Sequence, residues 1–314
     1  MSSFASGYIK YVNHLEQIND AAINNPKKMI EEVEYSYHEH LQTIANDIVK
    51  HKNNIRICLL AGPSSSGKTT TANLLCKYLK ELGKNAFIVS LDDFYKNQND
   101  APTRADGTKD FETVYSLSVE KVTECIKNIV SLKPFIVPEF SFPLGKSISE
   151  KEYILGENDI VIMEGLHALN PIFTNEIGEN QLLKLYVSIK QPIKDANGEV
   201  LTAEEARLVR RMVRDIKFRD CGTEETLSMW QDVMDGEDKY IRPYRLSADY
   251  TVNSIHIYEP CVLRSIAIPM IRQVAEYSPY YRKARAIEAK LMRFEKIDKS
   301  LVPQNSVLRE FIGN

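Results

Sequence analysis

One eight-residue stretch most constrains how this chain folds: Gly62-Pro63-Ser64-Ser65-Ser66-Gly67-Lys68-Thr69. It matches the pattern GxxxxGK[ST] at every fixed position. The run NIRICLLA at 54–61 precedes it and has the short, apolar character of a buried strand. The run TTTANLLCKYLKELG follows with helical spacing. It ends at Gly83, and a glycine is the residue that most often terminates a helix. A strand, a glycine-rich turn and a helix in this order predict a phosphate-binding loop rather than a chance turn.

Each part of this motif has a role in holding phosphate. Small residues let successive backbone N–H groups turn inward around phosphate oxygens, and the following helix adds the positive end of its dipole. Lys68 can reach β- and γ-phosphates, and the Thr69 hydroxyl can ligate Mg²⁺. We therefore predict that ATP and Mg²⁺ bind here, with GTP left open as the nucleotide. The predicted nucleotide-binding residues of the loop are Gly62, Pro63, Ser64, Ser65, Ser66, Gly67, Lys68, Thr69 and Thr70.

Further apolar runs alternate with helical patterns along the chain. Strands are predicted at 85–91, 159–165, 183–189 and, more weakly, 248–254, and helices at 118–131 and 203–217. Near-continuous apolar strands that alternate with helices predict an α/β fold of the P-loop NTPase type, a central parallel sheet with helices on both faces.

The patterns divide the chain into three segments. They are an N-terminal helical segment at 1–51, a P-loop core at 52–276 with a helical lid near 203–235, and a C-terminal helix and tail at 277–314 packed on the core. Within the core, residues 92–115 and 140–156 contain polar turns and are predicted to project from it. Whether the N-terminal segment packs on the core or mediates self-association stays open.

Acidic side chains follow two predicted strands where those strands end. Asp92 and Asp93 come directly after FIVSL, and Glu164 ends IVIME, a run that tolerates a carboxylate only where the strand is ending. Ligands of open α/β sheets bind at the carboxyl ends of strands. We therefore expect Lys68, Asp92 and Glu164 to converge on one point. The alternative is that one of the aspartates caps a turn.

Other segments of the sequence favour a kinase over a regulatory GTPase. No NKxD segment of a regulatory GTPase occurs, whereas a kinase needs a base near the acceptor and cations around the transferred phosphoryl group. Asp92 can be the base. Arg207, Arg211 and Arg214 share a helical face that Arg210 flanks. Glu204 can pair with Arg207, and the other arginines lack local partners of that kind. The alternative is a solvated basic face.

Composition narrows the setting and the partners. The net charge is -3, which disfavours nucleic acid as a partner, and no apolar run approaches the roughly 20 residues that a membrane span needs. The five cysteines are far apart, without a CxxC pair, as is typical of reduced thiols. No signal-peptide pattern occurs at the N-terminus. We expect a cytoplasmic protein that acts on a small molecule.

Four motifs together resemble the phosphoribulokinase/uridine kinase family of P-loop kinases. They are GPSSSGKTT, SLDDFY, IVIMEGLHALNP and RLVRRMVRDIKFR, in the family's order. DFETVYSLS, PEFSFPLGKS, EETLSMW and the tail VPQNSVLREFIG resemble its long uridine-kinase-like branch. Bacterial members of that branch are often fused to threonyl-tRNA-synthetase-like N-terminal domains, for which we expect no room here. The resemblance covers roughly residues 40–314 and implies a P-loop kinase fold.

The resemblance also implies roles at matching positions. Asp92 would be the base toward the acceptor hydroxyl, and Glu164 would support the metal together with Thr69 and Asp92. The arginines implied in a lid over the ATP phosphates are Arg210, Arg211 and Arg214, with Lys68 and Arg214 acting on the transferred group. The resemblance implies Phe111, Glu112 and Phe140 at the acceptor pocket, and we add Asp93 and Tyr95 as further predicted substrate residues.

The sequence departs from the family pattern where uridine-cytidine kinases read the pyrimidine. Phe140 and Gly145 stand where those enzymes have a tyrosine and a histidine, and no histidine occurs between His51 and His167. We predict an ATP-dependent kinase of a small hydroxyl-bearing metabolite, with a uridine- or cytidine-like nucleoside as the leading acceptor. Another sugar, a glycerate-like or a pantothenate-like acceptor remains an alternative, as does an ATP-binding regulatory protein without turnover.

Overall fold

The computed structural model describes residues 13–51, 54–175, 177–178 and 181–313. Its strands, in chain order, are β1 (Asn13–His14), β2 (Ile57–Ala61), β3 (Asn85–Ser90), β4 (Phe135–Ser141), β5 (Lys146–Tyr153), β6 (Asp159–Glu164), β7 (Leu182–Ser188), β8 (Ile193–Asp195), β9 (Gly198–Leu201) and β10 (Tyr250–Asn253). Its helices are α1 (Leu15–Asn24), α2 (Pro26–His51), α3 (Lys68–Glu81), α4 (Val119–Val130), α5 (Ala203–Phe218), α6 (Thr223–Tyr240), α7 (Glu259–Ile271), α8 (Tyr281–Leu291) and α9 (Arg309–Ile312).

Five strands form the central sheet, in the spatial order β10-β7-β2-β6-β3. All neighbouring pairs in it are parallel. These are the five strands predicted from the sequence, so the α/β prediction is confirmed. Because β2 lies at the centre, the loop that follows it opens into the crevice between strands placed on opposite sides, which is where such sheets bind ligands.

The pattern of β2 explains why helices cover both faces of the sheet. Cys58 and Leu60 pack into one apolar core, whereas Ile57, Leu59 and Ala61 pack into another. The first core also takes the buried faces of α2, α3, α5, α7 and α8, and the second takes that of α4. Successive side chains of a strand point to opposite faces, so a strand that is apolar throughout must be covered twice.

The segment 140–156 differs from the expected polar turns. Most of it belongs to an antiparallel hairpin of β4 and β5, with a register shift between Glu139 and Phe140. All of β5 except Tyr153 is exposed, and the Tyr153 ring stacks on Phe135 with centroids 5.6 Å apart. Since β5 reads KSISEKEY, it has too little apolar alternation to be recognised as a strand. The predicted projection is therefore present, but as a hairpin.

The N-terminal segment at 1–51 was predicted to be helical. Residues 1–12 lie outside the described residues, residues 13–14 form β1, and the helical part that follows is interrupted between α1 and α2. Pro26 explains the interruption, because proline has no N–H to continue a helix but suits the first position of a new one. α2 packs beside the phosphate-loop helix, where the Tyr37 hydroxyl lies 2.5 Å from Thr71 Oγ1.

Helix α5 begins at a capping box. The Thr202 hydroxyl accepts the N–H of Glu205 while the Glu205 carboxylate accepts the N–H of Thr202. This fixes the start of α5 close to the predicted residue 203 and sets the direction in which its arginines point. α6 follows after a short turn, and together the two helices occupy the region predicted as a lid. Among the described helices, none has the length and apolarity needed to cross a bilayer.

Candidate active site

The phosphate loop connects β2 to α3, and two glycines give it its shape. The loop passes directly over β7 at Gly62. A Cβ there would lie 2.1 Å from the carbonyl oxygen of Val187, so no side chain can be accommodated. Gly67 has φ +87°, a left-handed conformation that favours glycine. The Thr71 N–H donates to Gly67 O at 3.0 Å and so makes the first intrahelical bond. The earlier amides of α3 therefore point out of the helix as a potential anion cradle.

Helix α5 supports the loop from one side. Arg207 Nη1 donates to Ser64 O at 3.2 Å, and Arg211 Nη1 donates to the Ser64 hydroxyl at 3.0 Å. The Ser65 and Ser66 hydroxyls are buried and make no hydrogen bond within the described residues. Buried polar groups are normally paired. Two unpaired hydroxyls in this loop are therefore consistent with a bound group that presents acceptor oxygens.

Lys68, Asp92 and Glu164 converge at the carboxyl ends of adjacent strands, as expected. Glu164 pairs in register with Leu60 of β2 and Ser90 of β3, and Ser90 Oγ donates to Glu164 Oε1 at 3.3 Å. The Ser90 hydroxyl also accepts the Asp92 N–H at 3.3 Å, so Ser90 holds both acidic residues. The Lys68 ammonium donates to Pro63 O at 3.1 Å and lies near both carboxylates.

Burial perturbs each charged group of this cluster. It raises the pKa of Glu164 to about 7, although the Lys68 charge acts in the opposite direction. It likewise raises the pKa of Asp92 against the pull of Lys68, Arg219 and Arg214. Burial lowers the pKa of Lys68, which Glu164 and Asp92 oppose. Shifts of this kind, in a cluster at the carboxyl ends of strands, are typical of functional sites.

Two arginines expected to lack local partners have one. Arg211 Nε lies 3.0 Å from Asp215 Oδ2, and Arg214 Nη2 lies 2.7 Å from Asp215 Oδ1. Asp215 was not anticipated, because the arginines' shared helical face drew attention away from the acidic residue next to Arg214. Asp215 is buried, whereas both arginines remain partly accessible. A guanidinium has five N–H groups, so each arginine retains donors for a second anion.

The prediction that Arg207 pairs with Glu204 was also wrong. Arg207 Nη1 lies 2.7 Å from Glu237 Oε2, whereas Glu204 pairs with Arg242 at 2.9 Å. The Arg207–Glu237 pair joins α5 to α6 and is almost completely buried. The spacing of Glu204 and Arg207 on one helix could not reveal this, because the competing carboxylate comes from another helix.

Arg210 was expected in a lid over the ATP phosphates, but it lies behind the phosphate loop. It is fully buried and makes a bidentate pair with Glu259, with Nε–Oε1 at 2.9 Å and Nη2–Oε2 at 2.5 Å. Its remaining donors bind Ser65 O at 3.3 Å and Ser254 O at 2.7 Å. In this structure Arg210 therefore supports the phosphate loop from behind, with four of its five N–H donors already used.

The residues expected at the acceptor pocket divide into two groups. Tyr95 and Phe140 form an aromatic wall, with ring centroids 5.8 Å apart, and Asp93 Oδ1 accepts the Phe140 N–H at 3.4 Å. Glu112 is half-buried, and burial raises its pKa against the charge of Arg211. Phe111 is exposed and makes no ring contact with the described residues. The structure thus brings the first three together and leaves Phe111 at the rim.

Three residues near the loop were not anticipated. Ser90 positions the carboxylates, Arg219 acts on the charge of Asp92, and Glu310 binds the N-terminus of α3 through Thr70. Ser90 lies inside the quoted SLDDFY motif, so its position offered a signal. Glu310 lies inside the quoted tail VPQNSVLREFIG, but it is 240 residues from Thr70 in the chain, and no local pattern connects the two.

A parallel sheet with a phosphate loop at its centre and acidic residues at the neighbouring strand ends defines a P-loop kinase of small molecules. A sequence model of the phosphoribulokinase/uridine kinase family matches residues 57–259. The chain belongs to this family. Its match includes the phosphate loop, both acidic strand ends, the arginines of α5 and Glu259, and ends before the C-terminal tail.

Relatives with curated names are distant. The uridine kinase of Staphylococcus epidermidis is 25% identical over 202 residues, covering 64% of this chain and 88% of its own length. The uridine kinase of Ureaplasma parvum is 22% identical over 199 residues, covering 62% and 86%. Among solved structures, a possible uridine kinase from Bacillus stearothermophilus aligns with a TM-score of 0.46 at 16% identity, covering 68% of this chain and 97% of that one.

Proposed function

We propose that this protein transfers the γ-phosphoryl group of ATP to a hydroxyl of a nucleoside related to uridine or cytidine. One observation carries the proposal: Lys68, Asp92 and Glu164 surround the mouth of the phosphate loop with perturbed pKa values. A loop that only bound Mg²⁺-nucleotide would need one such carboxylate for the metal, whereas Asp92 places a second one beside it. A kinase needs this arrangement for the acceptor and for the metal.

The residues present fit a Mg²⁺-nucleotide site. Glu164, Asp92 and the exposed Thr69 hydroxyl supply hard oxygen ligands, and the described residues hold no cluster of three or more His, Cys, Asp or Glu suited to a metal. Mg²⁺ needs only a few protein ligands, because it keeps waters and phosphate oxygens in its coordination shell. When bound by these three residues, Mg²⁺ would neutralise charge on the nucleotide phosphates.

The chain's own residues would divide the work of transfer. Asp92 orients the acceptor hydroxyl and accepts its proton, a task that its raised pKa favours. Lys68 and Arg214 place positive charge beside the transferred group, and Arg211 adds a second partly accessible guanidinium. Arg210 has a positioning role, because its bond to Ser65 O holds the shape of the loop.

A neutral, hydroxyl-rich acceptor suits the pocket better than an anionic one. Asp92, Asp93 and Glu112 bring carboxylates to it, and the ring of Tyr95 beside Phe140 provides an apolar wall for a planar base. Glycerate and pantothenate carry a carboxylate that these side chains would repel. The names of the relatives, uridine kinases, point in the same direction. Phe140 and Gly145 cannot read the base edge by hydrogen bonds, so we propose weak discrimination between bases.

An acceptor panel tests the proposal. The purified protein, with ATP and Mg²⁺, would be supplied with uridine, cytidine, purine nucleosides, free pentoses, glycerate and pantothenate. ADP formation and the mass of the phosphorylated product are then measured. We expect turnover with pyrimidine nucleosides and little selectivity between uridine and cytidine. Turnover restricted to an organic acid would contradict the nucleoside assignment while leaving the kinase assignment intact.

The variant Asp92→Asn tests the role of the base. We expect kcat to fall about 1000-fold, because general-base catalysis typically contributes this much. Binding of ATP without Mg²⁺ should persist, since the phosphate loop is unchanged, and only the Mg²⁺-dependent part of the affinity should weaken. Asp20→Asn, an exposed site on α1, is the matched control and should keep full activity. Full turnover by Asp92→Asn would show that another group accepts the proton. No ADP formation by the wild type with any acceptor would favour a regulatory protein.

A further inference from the structure

The C-terminal tail packs against the phosphate loop. Val307 and Phe311 are fully buried, and a Cβ on Gly67 would lie 2.7 Å from Val307 Cγ1. The Phe311 ring lies beneath Arg210, with 5.0 Å from the guanidinium carbon to the ring centroid. Ser306 Oγ lies 3.0 Å from the Tyr258 hydroxyl. These contacts fix the backbone of the tail at the loop, independently of the side chain of Glu310.

Glu310 projects from this fixed tail onto the N-terminus of α3. Its Oε2 accepts the Thr70 N–H at 3.1 Å and the Thr70 hydroxyl at 2.9 Å. Thr71 is the next residue along, and its N–H is already bonded to Gly67 O within the helix. Thr70 therefore provides the last outward-facing amide of the anion cradle, and a carboxylate from the same chain holds it.

A nucleotide phosphate and the Glu310 carboxylate would meet at this position. Both are anions that seek the N–H groups and positive dipole end of α3. The Glu310 charge also acts on Lys68, so the two anions would share the same cation. Since one amide cannot satisfy both, and like charges held close repel, phosphate binding requires the Glu310 side chain to turn away.

We propose that Glu310 is an intramolecular competitor for nucleotide, an autoinhibitory contact that lowers the affinity of the phosphate loop for ATP. The inference rests on the proposed nucleotide-binding function of the loop. Only the side chain has to move, because Val307 and Phe311 hold the tail in place. Glu310 is partly exposed, so its carboxylate can rotate into solvent without disrupting the apolar core.

Calorimetric titration of Mg²⁺-ATP, without acceptor, tests this inference on the full chain. Glu310→Gln removes the charge and keeps the size, and Glu310→Ala removes the contact. We expect both to bind ATP about tenfold more tightly than the wild type, a ratio common for coupling of this kind. Glu276→Gln is an exposed control with the same change of charge and should bind like the wild type. Thermal unfolding of each variant verifies that it is folded.

Each outcome has a defined meaning. Tighter binding by both Glu310 variants supports the competition. Equal affinity for all four proteins overturns the inference but leaves the proposed function intact. Weaker binding by the Glu310 variants overturns it in the other direction and makes Glu310 a supporting residue of the nucleotide site. If none of the proteins binds ATP, the proposed function fails and the inference fails with it.

Discussion

Glu34 and Glu164 are buried to nearly the same degree, with 5% and 7% of their surface exposed, yet their surroundings differ. Glu34 lies behind the phosphate loop on α2, where it accepts a hydrogen bond from the Tyr258 hydroxyl. His256 Nε2 is 3.5 Å from its other oxygen. Glu164 lies in front of the loop, where only Ser90 Oγ donates to it among the described residues.

The two environments shift the acidity of these carboxyl groups in opposite directions. Burial raises the pKa of both. At Glu34 the charge of the neighbouring His256, together with bonds from Ser306 and Tyr258, outweighs burial and lowers the pKa to about 2. At Glu164 the Lys68 charge is insufficient, and burial raises the pKa to about 7. Burial alone therefore does not identify a functional carboxylate, whereas burial without compensation does.

The same contrast applies to the arginines of α5. Arg210 faces the rear, where its hydrogen bonds go to Glu259 and to backbone carbonyls. Arg211 and Arg214 face the front and share the single carboxylate of Asp215. The rear is a closed network that holds the shape of the loop. The front keeps spare donors and an undercompensated acid, as a site needs if a charged ligand is to complete it.

The largest effect is expected when the buried Arg210–Glu259 pair behind the phosphate loop is broken. Arg210→Met should lower the free energy of unfolding by about 4 kcal/mol, because it leaves Glu259 buried without its partner. Urea unfolding of the protein without ligand measures this. Arg282→Met, on the exposed face of α8, is the control and should change stability little. Adding Glu259→Leu to Arg210→Met should restore much of the loss. A small effect of Arg210→Met alone would mean that the rear is not a closed network.

The pH dependence of stability gives the next largest effect. A carboxyl whose pKa is lower in the folded state stabilises the fold above its unfolded pKa, and this is lost as pH falls. For Glu34 the window runs from 4.5 down to about 2 and involves about 3 kcal/mol. Glu34→Gln should flatten the stability profile there, whereas Glu31→Gln, exposed on the same helix, should not. An unchanged acid profile in Glu34→Gln would remove the contrast with Glu164.

The smallest effect concerns the front of the loop and has the opposite sign. At pH 8, Glu164→Gln should stabilise the ligand-free protein by about 2 kcal/mol, because it replaces a buried and poorly compensated charge with a neutral group. The same variant should lose the Mg²⁺-dependent part of ATP affinity. Thermal unfolding and titration measure the two effects, with Glu157→Gln as the exposed control. Destabilisation by Glu164→Gln would place this residue with Glu34 as a structural group.

Local patterns predicted the sheet well. The five strands were recognised because they are short apolar runs between helical patterns, and the order of strand, motif and helix located the phosphate loop. The hairpin strand Lys146–Tyr153 was missed because its side chains are polar and its pairing is made by the backbone. The paired strands β8 and β9 were missed as well, since so few residues carry little periodicity, and β10, with four residues, was predicted only weakly.

The partners of charged groups were the least predictable part of the site. Spacing on one helix suggested Glu204 for Arg207, but Glu237 from α6 is the partner. Asp215 lies within the quoted motif RLVRRMVRDIKFR. Its pairing with Arg211 was predictable from the sequence, because residues four apart on a helix are neighbours. Arg210 with Glu259 spans 49 residues, and no local rule connects them.

The amino-acid sequence by itself determined the phosphate loop, the parallel sheet and the acidic residues at the strand ends, because backbone geometry and side-chain periodicity act over a few neighbouring residues. Only the tertiary structure decided which charges are compensated. It placed Glu34 against His256, left Glu164 with Ser90 and Lys68, and brought Glu310 to Thr70 across 240 residues. Desolvation and Coulomb forces depend on distance in space, and the order of residues along the chain does not set that distance.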